Sequence, residues 1–357
     1  MKILYTALKY DYGDPARGYS FEHYNFYDAL IKMEGGKHEI LYFPFDEIGA
    51  SLGREGLNKK MLEVVRSEKP DLCFFFLFEH EFDFETINEI TQNSGSKTFA
   101  WFSDDQWRFQ NYSKHYAPCF HWISTTDKRA VEKYRKIGVY NVIKSQWACN
   151  HYLYHPKDRV NIGQPVRNEI TFVGQPHGNR KQVIRALEKR HLPVVCYGNG
   201  WPQGRISQEE MIEVFECSKI NLNLTKASAV RRMPNFVYVF LHKENGVIKL
   251  RSWKKIWEDL RFSFRKTQEQ IKGRNFEVPG CGGFLLTGYA EDLEKYYVEG
   301  KEVVVFRGIK DLAKKAYYYS THEEERKQIA RAGFERTVKD HTYEKRFQEI
   351  FHIMGLE

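Results

Sequence analysis

Short apolar runs alternate along the first half of the chain with segments whose apolar residues recur every three or four positions. The runs Lys2 to Ala7, Glu39 to Phe43, Leu72 to Phe78, Thr98 to Phe102, His121 to Ser124 and Asn141 to Lys144 predict strands. Residues 21–34, 56–68, 84–93 and 127–137 predict the helices between them. Such alternation calls for parallel strands joined by crossover helices, a doubly wound sheet. The run Leu72 to Phe78, LCFFFLF, has no polar alternation, as expected of a central strand covered on both faces.

A second series starts beyond residues 151–167, a stretch with Gly163, Pro156 and Pro165 that reads as a linker. Strands are expected at Glu169 to Val173, Pro193 to Tyr197, Ile220 to Leu224, Phe284 to Thr287 and Glu302 to Phe306. Helices are expected over 180–190, 207–218, 310–320, 323–339 and 343–354. Two open α/β domains are the simplest account: residues 1–155 and 168–340, with 341–357 as a last helix returning to the first domain. An insert at 228–268 breaks the rhythm. There, Asn245-Gly246 predicts a hairpin turn between two apolar runs, and Trp253, Trp257, Leu260 and Phe264 share one face of a basic helix.

The chain has 357 residues, enough for two such domains. Its net charge of +8 becomes informative when located: residues 228–276 hold 12 basic and 4 acidic residues, a surplus equal to that of the whole chain. No nucleic-acid-binding motif accompanies this patch, so nucleic acid is not an expected partner. The insert reads equally as an interfacial element meeting an anionic membrane through residues 236–266 and as a helix packed on the protein with its cations solvated. The six cysteines are scattered and form no C-x-x-C, which fits reduced thiols. No apolar run approaches the length of a membrane span, so a cytoplasmic protein is expected, peripheral to the inner face of the membrane if the insert binds lipid.

Several chemistries lose their main support: there is no G-x-x-x-x-G-K-[ST], no H-E-x-x-H, no G-x-S-x-G and no kinase signature. The absence of any D-x-D disfavours a metal-held diphosphate, because hard cations need paired oxygen ligands. What remains are glycine-bearing strand ends. Strand 169–173 runs into Gly174-Gln175-Pro176-His177-Gly178-Asn179-Arg180, a loop ahead of a helix with a cation at its start, and strand 193–197 ends at Gly198-Asn199-Gly200-Trp201. Asn223 and Thr225 close the strand INLNLT. In RNFEVPGCGG, Arg274 can neutralise phosphate, Glu277 can accept hydroxyl hydrogen bonds, Phe276 lies between them in sequence, and Gly280, Gly282 and Gly283 permit close backbone approach. For each segment the alternative is an ordinary glycine turn with a surface cation or ion pair.

The run from Arg274 to Arg346, with RNFEVPGCGGFLLT, Glu302-Val303-Val304 and ERKQIARAGFERTVKDHTYEKR, resembles the C-terminal domain of the CgeB-like spore maturation glycosyltransferases. The segments FVG with Arg180, and YGNGW, fit the same domain's first strands, and WACNHYLYHP at 147–156 is similar to the hinge of the large retaining GT-B families. It implies the GT-B fold, two Rossmann-like doubly wound domains facing each other across a cleft. The implied activity is transfer of a sugar from a nucleotide diphosphate sugar to a glycan, lipid-linked or other acceptor, in cell-surface polysaccharide biosynthesis. The nucleotide sugar is then a substrate and no cofactor is required. The C-terminal domain would hold the donor, with Glu277 on the ribose, and Arg180, Arg274 and the N–H groups around Gly280 to Gly283 on the diphosphate. The N-terminal domain would supply the acceptor site and a general base. Candidates are Glu79, with His80 and Glu81 beside it, and Asp104 and Asp105, all following strands; a helix N-cap is the competing role for the aspartates. Gly18 and Tyr19, in a flexible loop after the first strand, are expected near the donor diphosphate or the acceptor. A nucleotide-sugar epimerase of the same fold, or a non-catalytic module binding sugar nucleotides or polyanions, would share much of this pattern.

Overall fold

The computed structural model describes residues 1–157, 162, 167–225, 241–244, 247–250 and 269–356. The chain divides into two compact units, Met1–Leu153 with Asp340–Glu357, and Tyr154–Lys339. The first holds six parallel strands: β1 (Lys2–Ala7), β2 (Glu39–Pro44), β3 (Leu72–Phe76), β4 (Lys97–Phe102), β5 (Trp122–Thr125) and β6 (Val142–Lys144), in the order β2-β1-β3-β4-β5-β6. Alternate residues point to opposite faces. Leu4, Cys73, Phe75 and Ala100 therefore pack with Met61, Ile87 and Ile90 from the helices Phe45–Glu68 and Phe84–Asn93. On the other face, Ile3, Tyr5, Phe74 and Trp101 pack with Phe26, Phe347 and Phe351. Every residue of β3 is buried, which is why its sequence carries no polar alternation.

The last helix, Tyr343–Met354, belongs to this unit, with Phe347 5.4 Å from Phe26 and 5.7 Å from Phe74 between ring centroids. The segment expected to be helical over 21–34 is helical, with a π-helical turn, His23–Tyr27, running into a short α-helix, Asp28–Lys32. Asn150, fully buried, holds this turn by donating to the Tyr24 carbonyl and to Asp28 Oδ2, each at 2.7 Å. Turns of this kind recur at functional sites.

The second unit holds five parallel strands, β7 (Arg167–Val173), β8 (Val194–Tyr197), β9 (Ser218–Asn223), β12 (Leu285–Gly288) and β13 (Val304–Phe306), ordered β13-β12-β9-β7-β8. Strands β10 (Leu241–Glu244) and β11 (Val247–Leu250) pair antiparallel with Glu244 opposite Val247, while Asn245 and Gly246, where a hairpin turn is expected, lie outside the described residues. The rest of the insert, including the aromatic face of 253–264 and most of the proposed membrane-binding stretch 236–266, lies outside the described residues. Among the described residues, no helix is long and apolar enough to cross a membrane.

Two glycines singled out as ligand-facing are required by the sheet itself. A methyl group on Gly198 would lie 2.7 Å from the Gly174 carbonyl oxygen, and Gly198 has a φ of +134°. On Gly283 it would lie 2.8 Å from Asn221 Nδ2 and closer still to the Phe215 carbonyl oxygen. Close approach of backbone to backbone, rather than to a ligand, fixes glycine at both positions.

Candidate active site

In an open α/β sheet, ligands bind beyond the carboxyl ends of the strands where the strand order reverses. In the second unit the reversal falls between β7 and β9. The loop after β7 and the residues after β9 border that point, and Arg180 joins them. It is the first residue of the helix Arg180–Glu188. Its guanidinium donates from Nη1 to the Gln175 carbonyl at 2.8 Å and from Nη2 to the Leu224 carbonyl at 3.3 Å, and it lies 5.3 Å from the centre of the Phe172 ring. Its Nε is buried without a hydrogen-bond partner, and among the described residues no carboxylate pairs with it. Burial, and behind it the charge of Arg274, lower the proton affinity of Arg180.

Around Arg180, Gly174 is fixed by its neighbours: its N–H donates to the Tyr197 carbonyl at 2.9 Å, and its carbonyl accepts from Trp201 Nε1 at 2.7 Å. Gln175 gives Arg180 its carbonyl. At the end of β9, Asn223 Nδ2 donates to Asn275 Oδ1 at 3.0 Å and to Thr287 Oγ1 at 3.1 Å, and Thr225 Oγ1 donates to the Tyr289 carbonyl at 2.9 Å. These groups tie β9 to β12 and to the helix Arg274–Gly280. Asn275, fully buried at the hub of this network, was not among the residues singled out from sequence, because nothing in its local pattern marks it.

The segment 274–283 departs most from expectation. It is a short helix, Arg274–Gly280, with its glycines at the C-terminal end. The N–H groups of Cys281, Gly282 and Gly283 donate to the carbonyls of Glu277, Pro279 and Val278 at 3.0, 2.8 and 3.0 Å. A helix end of this polarity presents carbonyl oxygens, so the expected phosphate cradle of N–H groups around Gly280, Gly282 and Gly283 is not formed. Phe276 points into the interior, 5.7 Å from both Tyr296 and Tyr297, and is a packing residue. Glu277 is fully buried, its Oε2 bonded to Arg274 Nη1 and its Oε1 without a partner.

In the first unit the reversal falls between β1 and β3. The loop after β1, expected to be flexible, is pinned: Tyr10 and Tyr19 pair across it, their rings stacked at 5.7 Å, and Tyr19 stacks on His23 at 4.1 Å. Arg17 closes it on Asp11 at 2.8 Å, and the Gly18 carbonyl accepts from the Asp11 N–H at 3.0 Å. Glu22, which the sequence reading passed over, sits beside this loop; burial pushes its carboxyl up to about 7 against the pull of its own N–H and the Ser20 hydroxyl.

After β3, Glu79 and His80 are exposed. The Glu79 N–H donates to Glu81 Oε1, whereas Glu81 Oε2 is buried and unpartnered, and burial raises this carboxyl. After β4, Asp104 occupies the N-cap position of a short helix, Asp105–Arg108, but its carboxylate makes no cap bond. Asp105, expected as a catalytic carboxylate, is instead an interior group. It is 1% exposed, accepts from Ser113 Oγ on Oδ1, and from the Tyr134 hydroxyl on Oδ2 at 2.9 Å. With both oxygens engaged inside the fold it cannot take a proton from a substrate hydroxyl.

Burial pushes the Asp105 carboxyl up to about 6, opposed by hydrogen bonds from Ser113, Thr125 and Tyr134. The folded state therefore holds this proton more tightly than the unfolded chain, and its contribution to stability is lost as pH rises from about 4 to about 6. Asp105→Asn removes the titration. Relative to the wild type, the variant should gain about 2 kcal/mol between pH 4.5 and pH 7. Urea unfolding followed at four pH values in this range checks it, and a constant difference between the two proteins would refute the assignment.

The glycosyl transferase-like family model matches residues 180–239 and 243–352, which include every candidate of the second unit from Arg180 to Gly283. The matched stretch is similar to a glycosyl transferase-like domain. The chain is also similar to the spore protein CgeB of Bacillus subtilis, at 22% identity over 253 residues, 69% of this chain and 72% of that protein. Among solved structures, sucrose-phosphate synthase from Thermosynechococcus elongatus matches with a TM-score of 0.61 at 10% identity, covering 99% of this chain and 98% of its own. Anabaena HepE, solved in complex with UDP and glucose, matches with a TM-score of 0.58 at 10% identity, covering 99% of each chain. The fold is that of the GT-B glycosyltransferases.

Proposed function

We propose that the protein transfers a sugar from a nucleoside diphosphate sugar to a glycan, lipid-linked or other acceptor, without a metal ion. Residues 154–339 would bind the donor, and the first unit would bind the acceptor. The observation that carries this reading is the pair of incomplete groups at the end of the second sheet. Among the described residues, Arg180 is a cation without a carboxylate, and Glu277 is a buried carboxylate with one oxygen unpartnered. A nucleoside diphosphate is complementary to both, an anion for the first and ribose hydroxyls for the second. HepE's complex with UDP supports the choice of ligand class.

In the transfer, the bond between the anomeric carbon and the diphosphate oxygen breaks, and its electron pair leaves with the diphosphate. The acceptor oxygen bonds to the anomeric carbon and gives up its proton. A fixed guanidinium is stabilising where negative charge grows on the leaving group, and Arg180 fills that role without a divalent cation. Among the described residues, no three His, Cys, Asp or Glu side chains are grouped to hold a metal. The proton would pass to a carboxylate of the first unit; Glu79 and Asp104 stay candidates and Glu81 joins them, its free oxygen being its qualification. A lipid-linked acceptor would also give the basic residues of 236–266 an anionic surface to meet.

The test is a thermal-shift screen against UDP, GDP and ADP and their glucose derivatives, followed by transfer assays with labelled donor. A ligand at a hundred times its Kd should stabilise the protein by about 2.7 kcal/mol. Transfer should persist in EDTA. No stabilisation by any nucleoside diphosphate would refute donor binding, and activity lost in EDTA and restored by magnesium or manganese would refute metal independence.

A further inference from the structure

Arg274 and Glu277 stand three residues apart on one short helix, so their side chains share a face. Their ion pair is markedly asymmetric: the Glu277 side chain is 0% exposed and that of Arg274 is 29% exposed. A carboxylate taken wholly out of water stays in place only with a cation or hydrogen-bond donors beside it, and Arg274 is the cation supplied. The guanidinium is itself fixed by rigid neighbours. It lies 5.3 Å from the centre of the Phe215 ring, on the helix Gln208–Cys217, and close to Tyr154, whose hydroxyl accepts from Gln208 at 2.8 Å. If Arg274 moved to a phosphate, it would leave Glu277 as an unpaired buried charge. Arg180 has no such tie among the described residues: its bonds there go to backbone carbonyls, and its Nε is unused.

We propose that Arg274 is the positioning residue of Glu277, holding one carboxylate oxygen so that the other faces a ribose hydroxyl, while Arg180 alone meets the diphosphate. This rests on the donor-binding reading above and divides the work of the two arginines, which the sequence had assigned jointly to phosphate.

The two roles separate in binding experiments. The affinities of a nucleoside and of its diphosphate are measured for the wild type, Arg274→Ala, Arg274→Lys, Glu277→Gln and the Arg274→Ala/Glu277→Gln double variant. Uridine and UDP, guanosine and GDP, and adenosine and ADP are each used. With Arg274 as a positioning residue, Arg274→Ala weakens nucleoside and diphosphate by the same factor, about tenfold. Arg274→Lys, which keeps a charge beside Glu277, restores most of the loss, a rescue that a purely packing role would not give. Glu277→Gln adds little once Arg274 is gone, since coupled residues are not additive. A diphosphate affinity that falls tenfold further than the nucleoside affinity in Arg274→Ala would overturn the proposal, as would additive losses in the double variant. If Arg274→Ala does not fold by near-ultraviolet circular dichroism, Arg274→Lys and Arg274→Gln carry the same comparison. A wild type that binds none of the three diphosphates would refute donor binding itself, a result distinct from either outcome for Arg274.

Discussion

Glu277→Gln should cost the protein most of its affinity for nucleoside diphosphates, and should do so equally for the nucleoside without phosphates. A buried carboxylate oxygen with no partner is an expensive feature to keep in a folded protein, and here it lies next to a cation that already satisfies the other oxygen. The arrangement is economical only if a hydroxyl arrives to complete it. Gln preserves the outline of the side chain but replaces one acceptor oxygen by an amide donor and removes the charge that strengthens each hydrogen bond. Charge-assisted hydrogen bonds contribute about 1.5 to 3 kcal/mol, so the affinity should fall roughly ten- to a hundredfold. The fold should survive, because Arg274 keeps enough exposure to be solvated when its partner is lost. Calorimetric titration of the folded variant decides the matter. An unchanged nucleoside affinity would remove Glu277 from the site, and a fall in melting temperature with normal binding would reduce the ion pair to a structural element.

The sequence made the frame of this fold legible because the frame depends on local periodicity. The predicted limits Lys2 to Ala7, 84–93 and 343–354 coincide with the observed elements since each has an apolar face matched to its period. The helix Arg274–Gly280 was invisible for the opposite reason. Pro279 and Gly280 break a helix on propensity, and what holds this one is tertiary: burial of every residue from Asn275 to Gly280, with Asn275 hydrogen-bonded to Asn223 and Thr287. The π-helical turn at His23–Tyr27 depends on Asn150, 126 residues beyond the Tyr24 carbonyl it holds. Asp105 reads in sequence as a carboxylate after a strand, and its sequestration depends on Ser113 and Tyr134, 8 and 29 residues away. At the candidate site, residue types were legible and their allegiances were not. The i,i+3 spacing of Arg274 and Glu277 suggests an ion pair, but whether each serves the other or a ligand is set by which of them is buried.

Arg180 makes the converse case, and its replacement should discriminate by phosphate. Its guanidinium is held in place by two carbonyls, which fix its position without neutralising it. Burial and the Arg274 charge both act against the Arg180 cation. A diphosphate placed beside it reverses both effects at once, offering a counter-charge in surroundings where screening by water is weak. Arg180→Met should therefore leave nucleoside affinity unchanged and lower diphosphate affinity by about 2 to 3 kcal/mol, some thirty- to a hundredfold. Arg180→Lys should recover part of the loss, because a lysine binds phosphate as a point charge without the two-pronged fit of a guanidinium. Turnover should fall further than ground-state binding, since charge on the leaving diphosphate is greatest as the glycosidic bond breaks. Calorimetry with nucleoside, monophosphate and diphosphate, together with kcat for transfer, separates these terms. If Arg180→Met weakened the nucleoside as much as the diphosphate, the residue would be a brace for the loop after β7, and the anion site would have to be sought elsewhere in the second unit.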